Sequence, residues 1–198
     1  MSKTSWNTVN PSSGSGDGIV NVGGSVHTGR MQRTSTPAFK AMGVADQVLT
    51  VTQKAKAEYV TINDVSAGKD GGNVTVTGKS NSSKLTFSLG AGDITITLPS
   101  KYSAGGAETA NNTAIVGDPG ATSEFEFSVT INVPKNTTTA PKARAINVVA
   151  AGGQSASATI SQPAGDPVLT ISPTSITIEA DGTAVAVTVT SNTNWQVA

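Results

Sequence analysis

The chain has 198 residues, of which 36% are hydrophobic and 13% charged, and its 13 basic and 13 acidic residues balance to a formal net charge of zero. A neutral chain without basic runs lacks the electrostatic footprint of a protein that binds nucleic acid or an anionic membrane, so we expect neither partner. The lack of cysteine excludes disulfides and thiolate metal sites. Low charge with abundant Thr, Ser, Asn and Val predicts an all-β protein of one large or two small domains.

The N-terminal region, residues 1–56, starts without the apolar core of a signal peptide. A turn-rich segment at 10–18 leads to a predicted strand at 18–22, and alternation at 47–53 predicts another strand. This composition is typical of exported β-proteins, yet the first residues show no export signal. A virus particle assembled in the cytoplasm and released by lysis resolves that conflict, as does an artificial chain that lacks its signal.

The middle region contains two predicted hairpins and a long polar segment. The first hairpin pairs 59–62 with 73–77, and the second pairs 85–89 with 94–98 across Gly90–Asp93. Residues 101–120 are small, polar and Gly-rich, which predicts an exposed loop of the kind that carries recognition. Further strands are predicted at 124–133, 144–149 and 156–162.

The last 31 residues show the clearest strand pattern. Apolar residues alternate with polar ones on both sides of a turn at 180–183, which predicts paired, half-buried strands. The alternating residues are Leu169, Ile171, Ile176, Ile178, Val185, Val187 and Val189.

Internal repeats divide the chain into related parts. Residues 49–55 match 158–164, with Arg33 and Arg144 at a similar distance upstream, and residues 10–22 parallel 118–133. The run 74–77 leads to Ser80-Asn81 as 187–190 leads to Ser191-Asn192. We therefore expect an N-terminal partial unit (1–56), a complete β-sandwich with a loop inserted at about 101–120 (57–166), and the first half of a further unit (167–198).

The final stretch resembles the BACON domain, an immunoglobulin-like β-sandwich found in Bacteroidetes proteins and in the crAss-like phages that infect them. The matching residues are Ser172-Pro173-Thr174-Ser175, Val187-Thr188-Val189-Thr190 and Ser191-Asn192-Thr193-Asn194-Trp195. The closing pattern of the family, an arginine followed by two strands and Gln-x-Ala, falls at 33–55 and at 144–164. The middle unit departs from the family, because Lys84 or Leu85 stands where its tryptophan belongs. The resemblance implies tandem immunoglobulin-like sandwiches in which Trp195, and with it Trp6, belongs to the structural core.

The resemblance also implies a function. Such domains occur in virions of crAss-like phages, so we expect a non-enzymatic accessory protein on the capsid surface. Its expected partners are the major capsid protein, bound through the N-terminal part, and neighbouring copies of itself. The alternative is an adhesion module of a phage fibre or a Bacteroidetes surface protein that binds host-surface or mucin glycans. A weaker alternative is a non-catalytic domain of a larger polysaccharide-degrading protein.

The two partial units predict a further contact. The start of the chain lacks the strands that its end supplies, and exposed strand edges attract another strand. We expect residues 168–198 to complete the 1–56 half, either within one chain or by donation to a neighbouring copy. Truncation of a longer chain explains the same pattern.

Few residues indicate chemistry, and neither a catalytic residue nor a cofactor is predicted. His27 has no second imidazole or thiolate with which to build a zinc site and is expected in a solvated loop. Glu124 and Glu126 share one strand face; this favours a charged outer surface over a glycosidase pair. Tyr102, in the polar segment, is the candidate for a glycan or partner contact at the surface.

Overall fold

In the computed structural model, which describes residues 3–198, the chain folds into seventeen β-strands and one short 3-10 helix. The prediction of an all-β fold is confirmed. Within residues 3–198, no helix is long and apolar enough to cross a bilayer.

The N-terminal segment (residues 3–56) consists of three two-stranded antiparallel sheets: β1 with β2, β3 with β6, and β4 with β5. Their bounds are Asn7–Asn10 (β1), Asn21–Gly24 (β2), Arg33–Ser35 (β3), Ala38–Phe39 (β4), Gln47–Val48 (β5) and Val51–Gln53 (β6). Pro37 separates β3 from β4 because proline has no N–H to donate to a ladder.

The central sandwich is formed by β7 to β15 in two facing sheets. One sheet has the order β10-β14-β15-β8 and the other the order β12-β11-β13-β9-β7. The strand bounds are Val60–Ile62 (β7), Val65–Ser66 (β8), Gly72–Ser80 (β9), Leu85–Gly92 (β10), Lys101–Ala104 (β11), Ala107–Ala110 (β12), Phe125–Val133 (β13), Lys142–Ala150 (β14) and Ser155–Gln162 (β15). The 3-10 helix, Pro119–Ala121, precedes β13.

Alternating residues of the two sheets meet in one core. Every fully buried apolar side chain of the described residues lies between Val60 and Ile160, and together these side chains form a single cluster. At the start of β13, Phe125 and Phe127 point inward while Glu126, and Glu124 just before the strand, stay outside, as the pattern of the sequence predicts. Because this core needs both sheets, the central sandwich is the part of the chain with a complete interior.

The C-terminal segment (residues 167–198) contains one hairpin-like pair, β16 (Leu169–Ser172) and β17 (Thr188–Ser191). The expected turn forms, since the Gly182 amide donates to Glu179 O at 2.9 Å. Residues 173–187 nevertheless lie outside any strand, so the prediction that alternation there continues a paired strand is wrong. These residues have no neighbouring strand with which to pair among residues 3–198.

The predicted strand at 94–98 is also absent. Ile94 and Ile96 are buried, so the alternation is real, but this stretch crosses between the two sheets without joining either ladder. The Arg144 side chain holds the crossing, because its Nε donates to Ile94 O at 2.8 Å. The second hairpin was therefore wrongly predicted, and β10 pairs with β14 instead.

The expectation of an exposed loop at 101–120 is wrong for its first half, whereas residues 111–118 do lie outside any strand. Residues 101–110 form the hairpin β11–β12, whose turn uses Gly105 and Gly106 at φ of +57° and +84°, where L side chains are strained. β11 pairs with β13, which places Tyr102 and Ala104 in the core. The two adjacent glycines were a hairpin signal that the polar composition concealed.

Candidate interaction surfaces

The N-terminal segment is attached to the central sandwich through the buried side chain of Asn81. Its Nδ2 donates to Thr28 O at 3.0 Å and to Ala57 O at 3.2 Å, while its Oδ1 accepts the Tyr59 amide at 3.0 Å. The Ser80 hydroxyl beside it donates to Tyr59 O at 2.7 Å. The Ser80-Asn81 pair therefore holds a loop of the N-terminal segment, the linker at Ala57 and the residue that precedes β7.

The same arrangement recurs where the central sandwich meets the C-terminal segment. Asn192 Nδ2 donates to Thr137 O and to Asp166 O, both at 2.9 Å, and its Oδ1 accepts the Val168 amide at 2.7 Å. The Ser191 hydroxyl donates to Val168 O at 2.9 Å. The chain therefore uses one junction twice, with Ser191-Asn192 in the role of Ser80-Asn81.

Additional contacts strengthen the first junction. The Arg30 guanidinium makes a two-pronged ion pair with the Asp118 carboxylate. The Arg30 amide donates to Gly120 O at 2.9 Å, and the Met31 amide donates to Ala121 O at 3.0 Å. Because two of these bonds are made by backbone groups, the loop after β2 is fixed against the 3-10 helix of the central sandwich.

Strand pairing shows which positions correspond. β16 pairs with β17 as β7 pairs with β9, with Leu169 opposite Ser191 and Val60 opposite Ser80. This register makes Val187 the counterpart of Val76, two residues from the match made on sequence alone.

The N-terminal segment corresponds to the last strands of the central sandwich. Gln53 Nε2 donates to Ser25 O at 2.9 Å as Gln162 Nε2 donates to Pro134 O at 2.8 Å, so the end of β2 corresponds to the end of β13. Arg33 lies opposite Gln53, where the central sandwich has Lys142 opposite Gln162. The counterpart of Arg33 is thus Lys142, and its sequence match to Arg144 is wrong.

His27 occupies the position of Asn136 in this correspondence. Its Nε2 contacts Met31 O at 2.6 Å, as Asn136 Nδ2 donates to Ala140 O at 2.8 Å. Both side chains are buried, so the expectation that His27 is solvated is wrong. A histidine here shapes the loop that Asn81 contacts.

The correspondence defines an N-terminal face of residues that are buried in the central sandwich but accessible in the N-terminal segment. Val22 is 39% exposed, whereas its counterpart Ile131 is 1% exposed. The other members, with the same register, are Phe39, Leu49 and Val51, whose counterparts are Val148, Ala158 and Ile160. An apolar half-core is therefore open to solvent.

A C-terminal face shows the same contrast. Val187 is 39% exposed, and its counterpart Val76 is 1% exposed. The further members are Leu169, Ile171 and Val185, whose counterparts are the buried Val60 and the partly buried Ile62 and Val74. All four side chains of this face are more than a third exposed.

The two tryptophans differ from the expected core positions. Trp195 is 51% exposed, because no second sheet formed by residues 3–198 covers the C-terminal face. Trp6 is half-buried, with the Arg33 guanidinium 4.6 Å from its ring centroid. In this structure neither indole is enclosed in the way the resemblance implies.

Tyr102 does not present a surface for a glycan. It is 4% exposed and packs edge-on against Phe87, with ring centroids 4.9 Å apart. Burial raises the pKa of its phenol. The residue chosen from sequence as a surface contact is a core residue, because β11 turns it inward.

The outer face of the five-stranded sheet carries the carboxylates considered for glycosidase chemistry. Glu124 accepts a hydrogen bond from the Tyr59 hydroxyl, which lowers the pKa of that carboxyl, with a smaller contribution from Lys79. Lys79 lies between Glu124 and Glu126, 3.5 and 3.8 Å from their oxygens. The two carboxylates thus share one ammonium group on an exposed face, which is the arrangement of a surface ion-pair cluster.

A shallow depression of about 380 Å³ lies on the same face. It is lined by Glu126, Lys79 and several small polar residues, and the aromatic ring beneath it, Phe127, is buried. Among residues 3–198, no three His, Asp or Glu side chains gather as metal ligands would. No protein-family model matches the chain, and no curated protein matches its sequence.

Proposed function

We propose that the chain is a structural protein built from serial immunoglobulin-like β-sandwich units. The strand order supports this assignment: β7, β9, β13 and β11 follow the order A-B-E-D, and β10, β14 and β15 follow the order C-F-G. β8 pairs in parallel with β15, as a split first strand does when it contributes to both sheets. The observation that carries the structural role is the Ser-Asn junction, used at both ends of the central sandwich.

We further propose that this protein decorates the capsid of a crAss-like phage, where it binds the major capsid protein through its N-terminal part. The resemblance of residues 168–198 to virion domains supports this setting. The loop between β4 and β5, whose Met42 and Val44 side chains are exposed, offers apolar surface outside the N-terminal face for such a partner.

Copy number in purified particles tests the proposal. Quantitative mass spectrometry against the major capsid protein should find this chain in proportion to the capsid subunits. A handful of copies per particle would assign it to a fibre or tail, and absence from particles would overturn the virion setting.

A glycan-binding module is the second candidate, because Trp195 leaves half of its indole open for stacking on a sugar ring. Mucin-type polysaccharides should then retard the chain in affinity electrophoresis, and Trp195→Ala should abolish the retardation. Tyr102→Phe serves as the control, since its ring is buried and the substitution keeps it. Equal mobility with and without polysaccharide would reject this candidate.

A further inference from the structure

We infer that the C-terminal segment of one copy completes the N-terminal segment of a second copy, so that the two faces form one sandwich shared between molecules. The N-terminal face supplies counterparts of β13, β14 and β15, and the C-terminal face supplies counterparts of β7 and β9. In the central sandwich these strands surround a common core. β10 has no counterpart in either segment, but it lies at the edge of its sheet, where its loss leaves the other ladders intact.

Backbone pairing gives this contact a defined register. In the central sandwich, β13 has β11 on one side and β9 on the other, whereas β2 has only β1 as a partner among the described residues. Ile131 lies opposite Val74, and Val129 lies opposite Val76. The corresponding pairs are Val22 with Val185 and Val20 with Val187. Residues 183–187 would thereby gain the strand partner that they lack.

The side chains at these positions fit the pairing. Valine meets valine at both predicted pairs, and β-branched cross-strand pairs are favourable in antiparallel sheets. The register is strongly specified, because a slip of one residue would turn Val185 and Val187 to the solvent side. Such an interface is a domain core cut in half, the kind seen in lasting assemblies.

The geometry of the central sandwich favours a second copy over closure within one chain. The N-terminal segment is held at Asn81, next to the end of β9, and the C-terminal segment is held at Thr137, beyond the end of β13 that pairs with the start of β9. The nine residues of β9 separate these positions by roughly 30 Å at about 3.3 Å per residue. Closure within one chain would have to break the Asn192 junction and the Lys69–Asp166 ion pair.

A contact between unlike ends of identical chains is heterologous. Repeated from copy to copy, it forms a ring where the rotation closes and an open filament where it does not. The inference requires no phage component and stands or falls independently of the capsid proposal.

Disulfide trapping tests the register directly, because the chain has no cysteine of its own. An isotope-labelled Val22→Cys chain is mixed with an unlabelled Val185→Cys chain under mild oxidation. Directly opposed positions lie close enough to cross-link after small adjustments. We expect a covalent dimer of one labelled and one unlabelled chain, identified by mass spectrometry after non-reducing electrophoresis.

Ala184→Cys is the matched control, because neighbouring residues of a strand point to opposite faces. It should cross-link to Val22→Cys at least about tenfold less. Equal yields for the two partners would overturn the register. In the double variant Val22→Cys/Val185→Cys, a disulfide that closes within a monomer would overturn the second-copy assignment.

Sedimentation velocity of the full chain tests the head-to-tail arrangement. The unsubstituted chain should associate with rising concentration. Val22→Asp and Val187→Asp should each weaken that association at least about a hundredfold, because each buries an unpaired carboxylate. A mixture of the two variants should still form a 1:1 dimer through their intact faces and grow no further. A chain that stays monomeric, or single variants that still associate, would refute the inference.

Discussion

The central sandwich and the C-terminal segment place similar residues at corresponding positions, yet they reach different structures. β9 runs for nine residues, whereas its counterpart β17 runs for four. β7 covers β9 only at 78–80, and the rest of the strand is held by β13 alone. The C-terminal segment has a counterpart of β7 but none of β13. Valine alternation therefore produces a strand only where a neighbour supplies hydrogen bonds.

The largest expected difference between the two regions lies in core truncation. Ile131→Ala should lower the free energy of unfolding by about 2–5 kcal/mol, because it leaves a cavity between two packed sheets. The matched change Val22→Ala should cost far less, under about 1 kcal/mol in dilute solution, since its side chain is already 39% exposed and no closed cavity is left. Urea denaturation followed by far-UV circular dichroism measures both. Similar losses at the two positions would show that the N-terminal face is already covered in the monomer.

Substitutions at the two Ser-Asn junctions should differ less in their cost to the free energy of unfolding than the two core substitutions do. Asn81→Ala removes a buried side chain that bonds the Tyr59 amide and two carbonyls, for an expected loss of about 1–3 kcal/mol. Asn192→Ala should cost under about 1 kcal/mol, because water can replace its bonds at the more open second junction. Trp6 fluorescence follows the N-terminal segment during unfolding and far-UV circular dichroism follows the whole chain. An Asn81 variant in which Trp6 unfolds no earlier than before would contradict the role given to this junction.

Fluorescence can sharpen the contrast between the two ends. Trp6→Phe leaves Trp195 as the sole tryptophan, and its half-exposed indole should emit at long wavelength and be readily quenched by acrylamide. The converse variant, Trp195→Phe, leaves Trp6 beside Arg33, where quenching should be weaker. A blue shift of Trp195 emission at high concentration is expected if a second copy covers the C-terminal face. Equal quenching of the two variants would show that Trp6 and Trp195 are equally exposed to solvent.

The smallest expected effect concerns Tyr59 on the outer face of the central sandwich. Burial, and then the hydrogen bond to Glu124, raise its pKa to about 12. A raised pKa contributes stability that is fully present below the unfolded value near 10 and is lost as the pH rises through about 12. Absorbance titration near 295 nm should show this late ionisation. Glu124→Gln should move the ionisation of Tyr59 to lower pH. An unchanged titration would show that Glu124 does not affect the pKa of Tyr59.

Sequence reasoning predicted strands with clear alternation and a partner nearby in the chain, such as β14 and β15, which pair with each other. It failed where position depended on distant pairing. Tyr102 is buried because β11 joins β13 across a hairpin, and Ile94 is buried without belonging to a ladder. Trp195 has the sequence context of a core residue, but a core requires a second sheet. The repeats identified the Ser-Asn pairs, whereas the hydrogen bonds that make them a junction appear only in three dimensions.

The Ser-Asn junction has a consequence for how such a chain can change over generations. Asn81 and Asn192 bind the carbonyls of Thr28, Ala57, Thr137 and Asp166, groups that every residue type possesses. The neighbouring unit can therefore change its side chains freely while its backbone course is kept. Duplication of the coding segment for one unit would insert a new copy with working joints at both ends. The number of units in such a chain can therefore vary between descendants, while the structure of each Ser-Asn junction stays the same.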